Sequence, residues 1–231
     1  MHSQTLRDST KPPTSFRDAV RIQQSVLADP EKRLLIWMAE RTPSWIHPDH
    51  LTIFGFLAQI MTGVSYALAR SSQIGLIGAV LFLVMNWFGD SMDGTLARVR
   101  QQQRPRYGFY VDHMLDSVGA LAMMAGLALS GYMNPAIAVG LLVMFLLLSI
   151  QSYLATYALG EFRMSFWSFG PTELRLFLII GSLAAYRWPT VAKHHHLFDW
   201  AGAVGIAGMA LVLGWFTSHN IARLYNEERL S

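Results

Sequence analysis

The chain has 231 residues, 52% of them hydrophobic and 14% charged, with a formal net charge of +3. Its mean hydropathy is +0.30. It is greasier and less charged than an ordinary soluble domain, so a polytopic membrane protein is the first reading. The lack of cysteine excludes disulfides, zinc–thiolate sites and cysteine nucleophiles. No basic stripe with interleaved aromatics suggests a nucleic-acid partner.

In chain order, residues 1–16 read as a disordered tail broken by Lys11-Pro12-Pro13. The first 40 residues hold no compact apolar core followed by a cleavage site, so no secretory leader is expected. Residues 15–40 read as one or two amphipathic helices: Val20, Ile22, Val26, Leu34, Leu35, Trp37 and Met38 alternate with Arg17, Arg21, Lys32 and Arg33. Asp29-Pro30 is a candidate break. Such a helix lies in the membrane interface or packs on the protein's own face, and both readings stay open.

After a turn over 43–48 come six apolar segments, each near the ~20 residues that span a bilayer. They fall at about 51–69, 74–93 (continuing as helix towards Arg100), 109–129, 135–159, 172–186 and 198–219. The expected fold is all-α: six transmembrane helices preceded by an amphipathic juxtamembrane helix. The domain plan is a tail with interfacial helix over 1–47, a membrane domain over 48–222 and a tail over 223–231. With six spans, 15 of the 18 Lys and Arg residues fall on one side. The positive-inside rule then puts both termini on the cytoplasmic side.

The densest chemistry lies between the second and third segments. It reads Asp90-x-x-Asp93-Gly94-x-x-Ala97-Arg98, nine residues, then Gly108-x-x-x-Asp112-x-x-x-Asp116. Ionisable groups at membrane depth are costly and usually functional. Asp90 and Asp93, three apart, share a helix face with Gly94 and Ala97; Asp112 and Asp116, four apart, share another. Consecutive antiparallel spans bring the two pairs together. Four carboxylates cannot sit together ionised unless something positive joins them, and hard oxygen ligands suit Mg²⁺ or Mn²⁺. The natural client of such ions is a diphosphate. The free N–H groups near Gly108 suit phosphate. Arg98, with Arg100, Arg104 and Arg106 nearby, pairs with phosphate or anchors the cytosolic face.

These eight residues resemble the signature of the CDP-alcohol phosphotransferases (CDP-alcohol phosphatidyltransferases), in its nine-residue spacing variant. The resemblance extends to the six spans and amino-terminal helix, nearly the whole chain. It implies transfer of a substituted phosphoryl group from a CDP-linked alcohol to a second alcohol, with release of CMP. It implies two divalent cations held by Asp90, Asp93 and Asp112, with Asp116 completing the site and acting as base on the acceptor hydroxyl. Gly94, Ala97, Arg98 and Gly108 would shape the CDP pocket. A homodimer is expected by the same resemblance. CDP-diacylglycerol is the favoured donor, since an embedded site suits a lipid donor and soluble acceptor; the reverse assignment stays open.

Outside the signature, Pro48-x-x-Leu51-Thr52 resembles the family's entry motif. Thr52 is a nucleotide contact or a helix-capping hydroxyl. Gly170-Pro171-Thr172-Glu173-x-Arg175 opens the fifth segment, and Arg175 and Glu173 are phosphate or headgroup candidates or a structural ion pair. Asn86 lines the pocket or bonds another helix. The run His194-His195-His196 reads as a wet loop. Two rival functions fit parts of the pattern. A membrane prenyltransferase uses Asp-rich motifs on a diphosphate, but places them far apart in sequence. A small transporter places acids near the midplane on broken helices, whereas these sit at one membrane face.

Overall fold

A computed structural model describes residues 20–22, 28–163, 171–194 and 196–229. The tail over 1–16, Gly170, His195 and the side chain of Glu173 lie outside the described residues. Eight helices are described: α1 Ala28–Arg41, α2 Pro48–Leu68, α3 Ile74–Val99, α4 Pro105–Leu129, α5 Pro135–Leu159, α6 Pro171–Arg187, α7 Pro189–His194 and α8 Leu197–Glu227. Five begin on a proline, whose fixed φ and missing N–H suit a first helical turn. α2 is also capped by His47, whose N–H donates to His50 Nδ1 at 3.2 Å. Asn134 caps α5 by accepting from the Ala136 N–H at 2.9 Å, and Gly160, at φ 69°, ends it in the left-handed region that glycine tolerates.

All six expected segments are helical, and α5 keeps the expected bounds. Among the described residues four helices, α2, α3, α5 and α8, are long and apolar enough to cross a membrane, which makes this an integral membrane protein. α4 falls short in apolarity because Asp112, His113 and Asp116 occupy its first half. α6 has 17 residues, roughly 26 Å at 1.5 Å per residue, just under a typical hydrocarbon core. α8 runs on to Glu227, through the expected domain boundary at 222.

The amino-terminal expectation needs correction. Residues Val20–Ile22 are not helical: they form a short strand, β1, in parallel register with β2, Glu161–Arg163, directly after α5. Val20 and Ile22 are β-branched and alternate with Arg21, which favours a strand when a partner is present. α1 is helical, and Pro30 falls in its first turn, where proline is tolerated. Its Leu35 and Ala39 are buried with Leu51, Met92 and Leu96, so it packs on the bundle. Leu34 and Trp37 remain exposed.

α2 is the hub. It packs against both α3 and α4, which pack on it rather than on each other; α6 lies on α3, α5 on α4, and α8 on α5. The α2–α3 contact is backbone to backbone: a Cβ on Gly89 would lie 2.6 Å from Gly55 Cα. Gly63 and Gly126 make a similar approach between α2 and α4. In lipid, where apolar surface gains nothing by leaving the solvent, such small-residue seams hold helices together. A core of Tyr66, Leu76, Leu83, Leu127 and Phe198 fills the end remote from the acid motif. There the Tyr66 hydroxyl bonds Ser182 Oγ at 2.9 Å, linking α2 to α6.

Candidate active site

α3 carries Asp90, Asp93, Gly94, Ala97 and Arg98, and α4 carries Gly108, Asp112 and Asp116. Because α3 and α4 flank α2, their motif ends face one another across a gap. Carboxylate oxygens of Asp90, Asp112 and Asp116 lie within 4.8 Å of one another there, all three residues half-buried. Two like charges about 4 Å apart repel by about 4 kcal/mol at an effective dielectric of about 20. Three such groups converge only where positive charge or bound protons offset the repulsion.

Part of that charge comes from α6. Arg175 Nη2 donates to Asp90 Oδ2 at 2.6 Å. Its Nε donates to Asn86 Oδ1 at 2.8 Å. Buried Asn86 in turn donates from Nδ2 to the Gly55 carbonyl at 3.0 Å. Arg175 therefore pairs with the acid motif, and Asn86 both lines the site and bonds another helix. One guanidinium cannot balance three carboxylates, and the all-oxygen set fits a hard divalent cation such as Mg²⁺ or Mn²⁺.

Asp93 stands apart from the three. Its Oδ2 accepts from the Thr52 hydroxyl at 2.7 Å, and its Oδ1 accepts from the Gly94 N–H. Thr52 is thus not the helix cap, a place His47 takes; it ties α2 to the fourth motif acid, with the Pro48 carbonyl 3.2 Å away. Arg98 Nη2 donates to Thr95 Oγ1 at 3.0 Å, and its guanidinium passes over Gly94, 3.4 Å from where a Cβ would stand. Around the missing Cβ of Gly108 nothing lies within 4 Å. Packing therefore does not demand glycine there. Ala97 is half-buried on α3.

Two of the neighbouring arginines are committed to architecture. Arg100 donates to the carbonyls of Ile46 at 2.6 Å, Thr42 at 2.8 Å and Pro43 at 3.0 Å. Arg104 pairs with Asp49. Both pin the α1–α2 connection beside the site. Sequence reasoning passed over an aromatic wall: His113 lies against Phe109 at 4.3 Å and Tyr153 of α5 at 5.0 Å between ring centroids. His113 sits between two motif acids, but its neighbour comes from a distant helix with no spacing signal. Glu31 of α1 was also unforeseen. At the opposite end, His196 Nδ1 meets Asp199 Oδ2 at 3.0 Å, remote from the acids.

Fold and site define a predominantly helical integral membrane protein whose facing helix ends present an acidic cluster braced by an arginine. The chain belongs to the CDP-alcohol phosphatidyltransferase family, whose profile matches residues 45–218. It is also similar to the archaetidylinositol phosphate synthase of Pyrococcus horikoshii, with 31% identity over 86 residues. That match covers 37% of this chain and 43% of the archaeal protein, so the chain spans less than half the length of the curated relative it matches.

Proposed function

We propose that this protein transfers a phosphatidyl-type group from a CDP-linked alcohol to an acceptor alcohol, releasing CMP, in phospholipid synthesis. The observation that carries the reading is the convergence of Asp90, Asp112 and Asp116 within 4.8 Å, inside an intact eight-residue signature. Asp90, Asp112 and Asp116, with Asp93 three residues along α3 and bonded by Thr52, are the residues to hold Mg²⁺ or Mn²⁺. When bound, such ions neutralise the diphosphate and the departing CMP. Arg98 and the open backbone at Gly94 and Gly108 receive the CDP moiety, with Ala97 and Thr52 at its edge. The acceptor oxygen forms a bond to the alcohol-bearing phosphorus as the bond from that phosphorus to the CMP oxygen breaks. CMP leaves with the electron pair, and the acceptor proton passes to a carboxylate oxygen of Asp116. Positioning and charge do most of the work in such transfers.

CDP-diacylglycerol is the donor of choice for an embedded site. The archaeal relative is named for archaetidylinositol phosphate, which puts an inositol phosphate first on the acceptor panel. Arg175, with Glu173 and Asn86, is the candidate for that phosphate. Given six spans, the bias of 15 among 18 basic residues supports both termini and the site on the cytoplasmic side. The family resemblance supports a homodimer. The test is incubation of purified protein with CDP-diacylglycerol and a panel of alcohols, products identified by mass. Expected is CMP release that requires Mg²⁺ or Mn²⁺ and one acceptor. No CMP from any CDP-alcohol, with or without metal, sinks the reading.

A further inference from the structure

Glu31 lies in the first turns of α1, half-buried, 59 positions before the first motif acid. Donors from two other helices converge on its carboxylate. Trp87 Nε1 donates at 2.7 Å and Ser91 Oγ at 3.3 Å, both to Oε1. Thr172 Oγ1 lies 3.2 Å from Oε1 and 3.3 Å from Oε2. Trp87 and Ser91 are one turn apart on α3, and Thr172 opens α6.

Beside this cluster runs a second one. Asn86 and Asp90, each one residue earlier on α3, receive Arg175, which follows Thr172 by three residues on the same face of α6. The two clusters are adjacent rungs of one α3–α6 seam. Glu31 fills the outer rung and Arg175 the inner. Without Glu31, no carboxylate joins Thr172 to Trp87 and Ser91, and the start of α6 loses the outer of its two polar rungs on α3, leaving the inner one at Arg175. α1 cannot drift to follow, because Leu35 and Ala39 fix it on Met92 and Leu96. The strand before it, β1, pairs with β2 at the end of α5. The amino-terminal segment thus braces both ends of the connection between α5 and α6.

We propose that Glu31 is a positioning residue: it clamps the start of α6 to α3 and thereby holds Arg175 on Asp90. The proposal concerns helix placement and rests on the transferase reading only for its activity consequence. The juxtamembrane helix is then a working part of the site.

The chain is free of cysteine, so spin labels can be placed at Leu34→Cys on α1 and Leu174→Cys on α6, both exposed. In lipid nanodiscs the labelled parent should give one narrow distance distribution. Glu31→Ala should broaden or shift it. Glu31→Gln, which keeps an acceptor oxygen for Trp87 and Thr172, should restore it. Thr172→Val, a milder change, should reproduce the alanine result. An unchanged distribution in both Glu31→Ala and Thr172→Val overturns the proposal.

Metal-dependent CMP release gives a second measure. Glu31→Ala should lower kcat/KM by about tenfold or more through misplacement of a charged group. In the Glu31→Ala, Arg175→Ala double variant, the loss should be no greater than in Arg175→Ala alone, because the clamp acts through the arginine. Independent, multiplying losses overturn it. If the parent releases no CMP from any donor, the transferase reading falls, and the distance measurement still decides the role of Glu31.

Discussion

The Thr52 hydroxyl on α2 donates to Asp93 Oδ2 on α3 at 2.7 Å. This bond fixes the orientation of the fourth motif acid while the other three converge across the α3–α4 gap. Partners that orient a metal ligand from outside typically change its affinity by about 10–100-fold when removed. Thr52→Val keeps the shape and removes the donor. It is expected to weaken Mn²⁺ binding by about tenfold or more, read by titration of the free Mn²⁺ electron paramagnetic resonance signal. Equal affinity in parent and variant would show that the Thr52 bond does not set the affinity of the ion site.

Arg175 makes two directed bonds at once, to Asn86 and Asp90. A lysine keeps the charge but has no planar fork to reach both. Arg175→Lys should therefore lower kcat/KM by about tenfold or more, following the cost of misplacing a group at the reacting centre. The acceptor KM should rise more than the donor KM, because α6 packs on α3, whereas Thr52 lies on α2 and Gly108 on α4. Steady-state kinetics with each substrate varied in turn checks this. A wild-type lysine variant would assign Arg175 to bundle assembly alone.

The acids themselves separate into roles. Removing divalent ions with a chelator should abolish CMP release, and Mg²⁺ or Mn²⁺ should restore it. Asp90→Asn and Asp112→Asn should each weaken Mn²⁺ binding strongly. Asp116→Asn should lower kcat by about a hundredfold or more, the scale of a lost general base, while weakening Mn²⁺ binding less. Persistent turnover in Asp116→Asn would assign the proton to another acceptor.

The sequence carried the helices and the acid cluster well because each is written in local pattern. Proline starts, ~20-residue apolar runs and three- and four-residue acid spacings all act within one helix. What it could not carry depends on which helix meets which. Arg175 was legible as a polar residue at a helix start, but its partner lies 85 positions earlier. Glu31 had no signal, because a single acid in an amphipathic helix reads as solvated surface. Val20–Ile22 was misread because its period fits a helix face until β2, far along the chain, offers a ladder. Arg100 and Arg104 look like membrane anchors in sequence; the carbonyls of Thr42, Pro43 and Ile46 and the carboxylate of Asp49 show them to be clasps.

Two glycines separate fold from function. Gly89 is enclosed: a Cβ there meets Gly55 Cα and N at 2.6 Å, both backbone atoms that cannot swing aside. Gly89→Ala must push α2 from α3, opening the seam that carries Thr52–Asp93 and Asn86–Gly55. Gly108 is open, within the first turns of α4, with no neighbour for a Cβ within 4 Å. Alanine is favoured over glycine by about 1 kcal/mol in a helix, so Gly108→Ala should hold or raise the thermal midpoint in detergent. It should nevertheless raise the KM for the CDP-linked donor, because the new methyl fills space the nucleotide needs. Gly89→Ala should lower the midpoint. If Gly108→Ala left donor KM at the parent value, the open backbone there would not be where the diphosphate approaches, and the CDP pocket would have to lie further from α4.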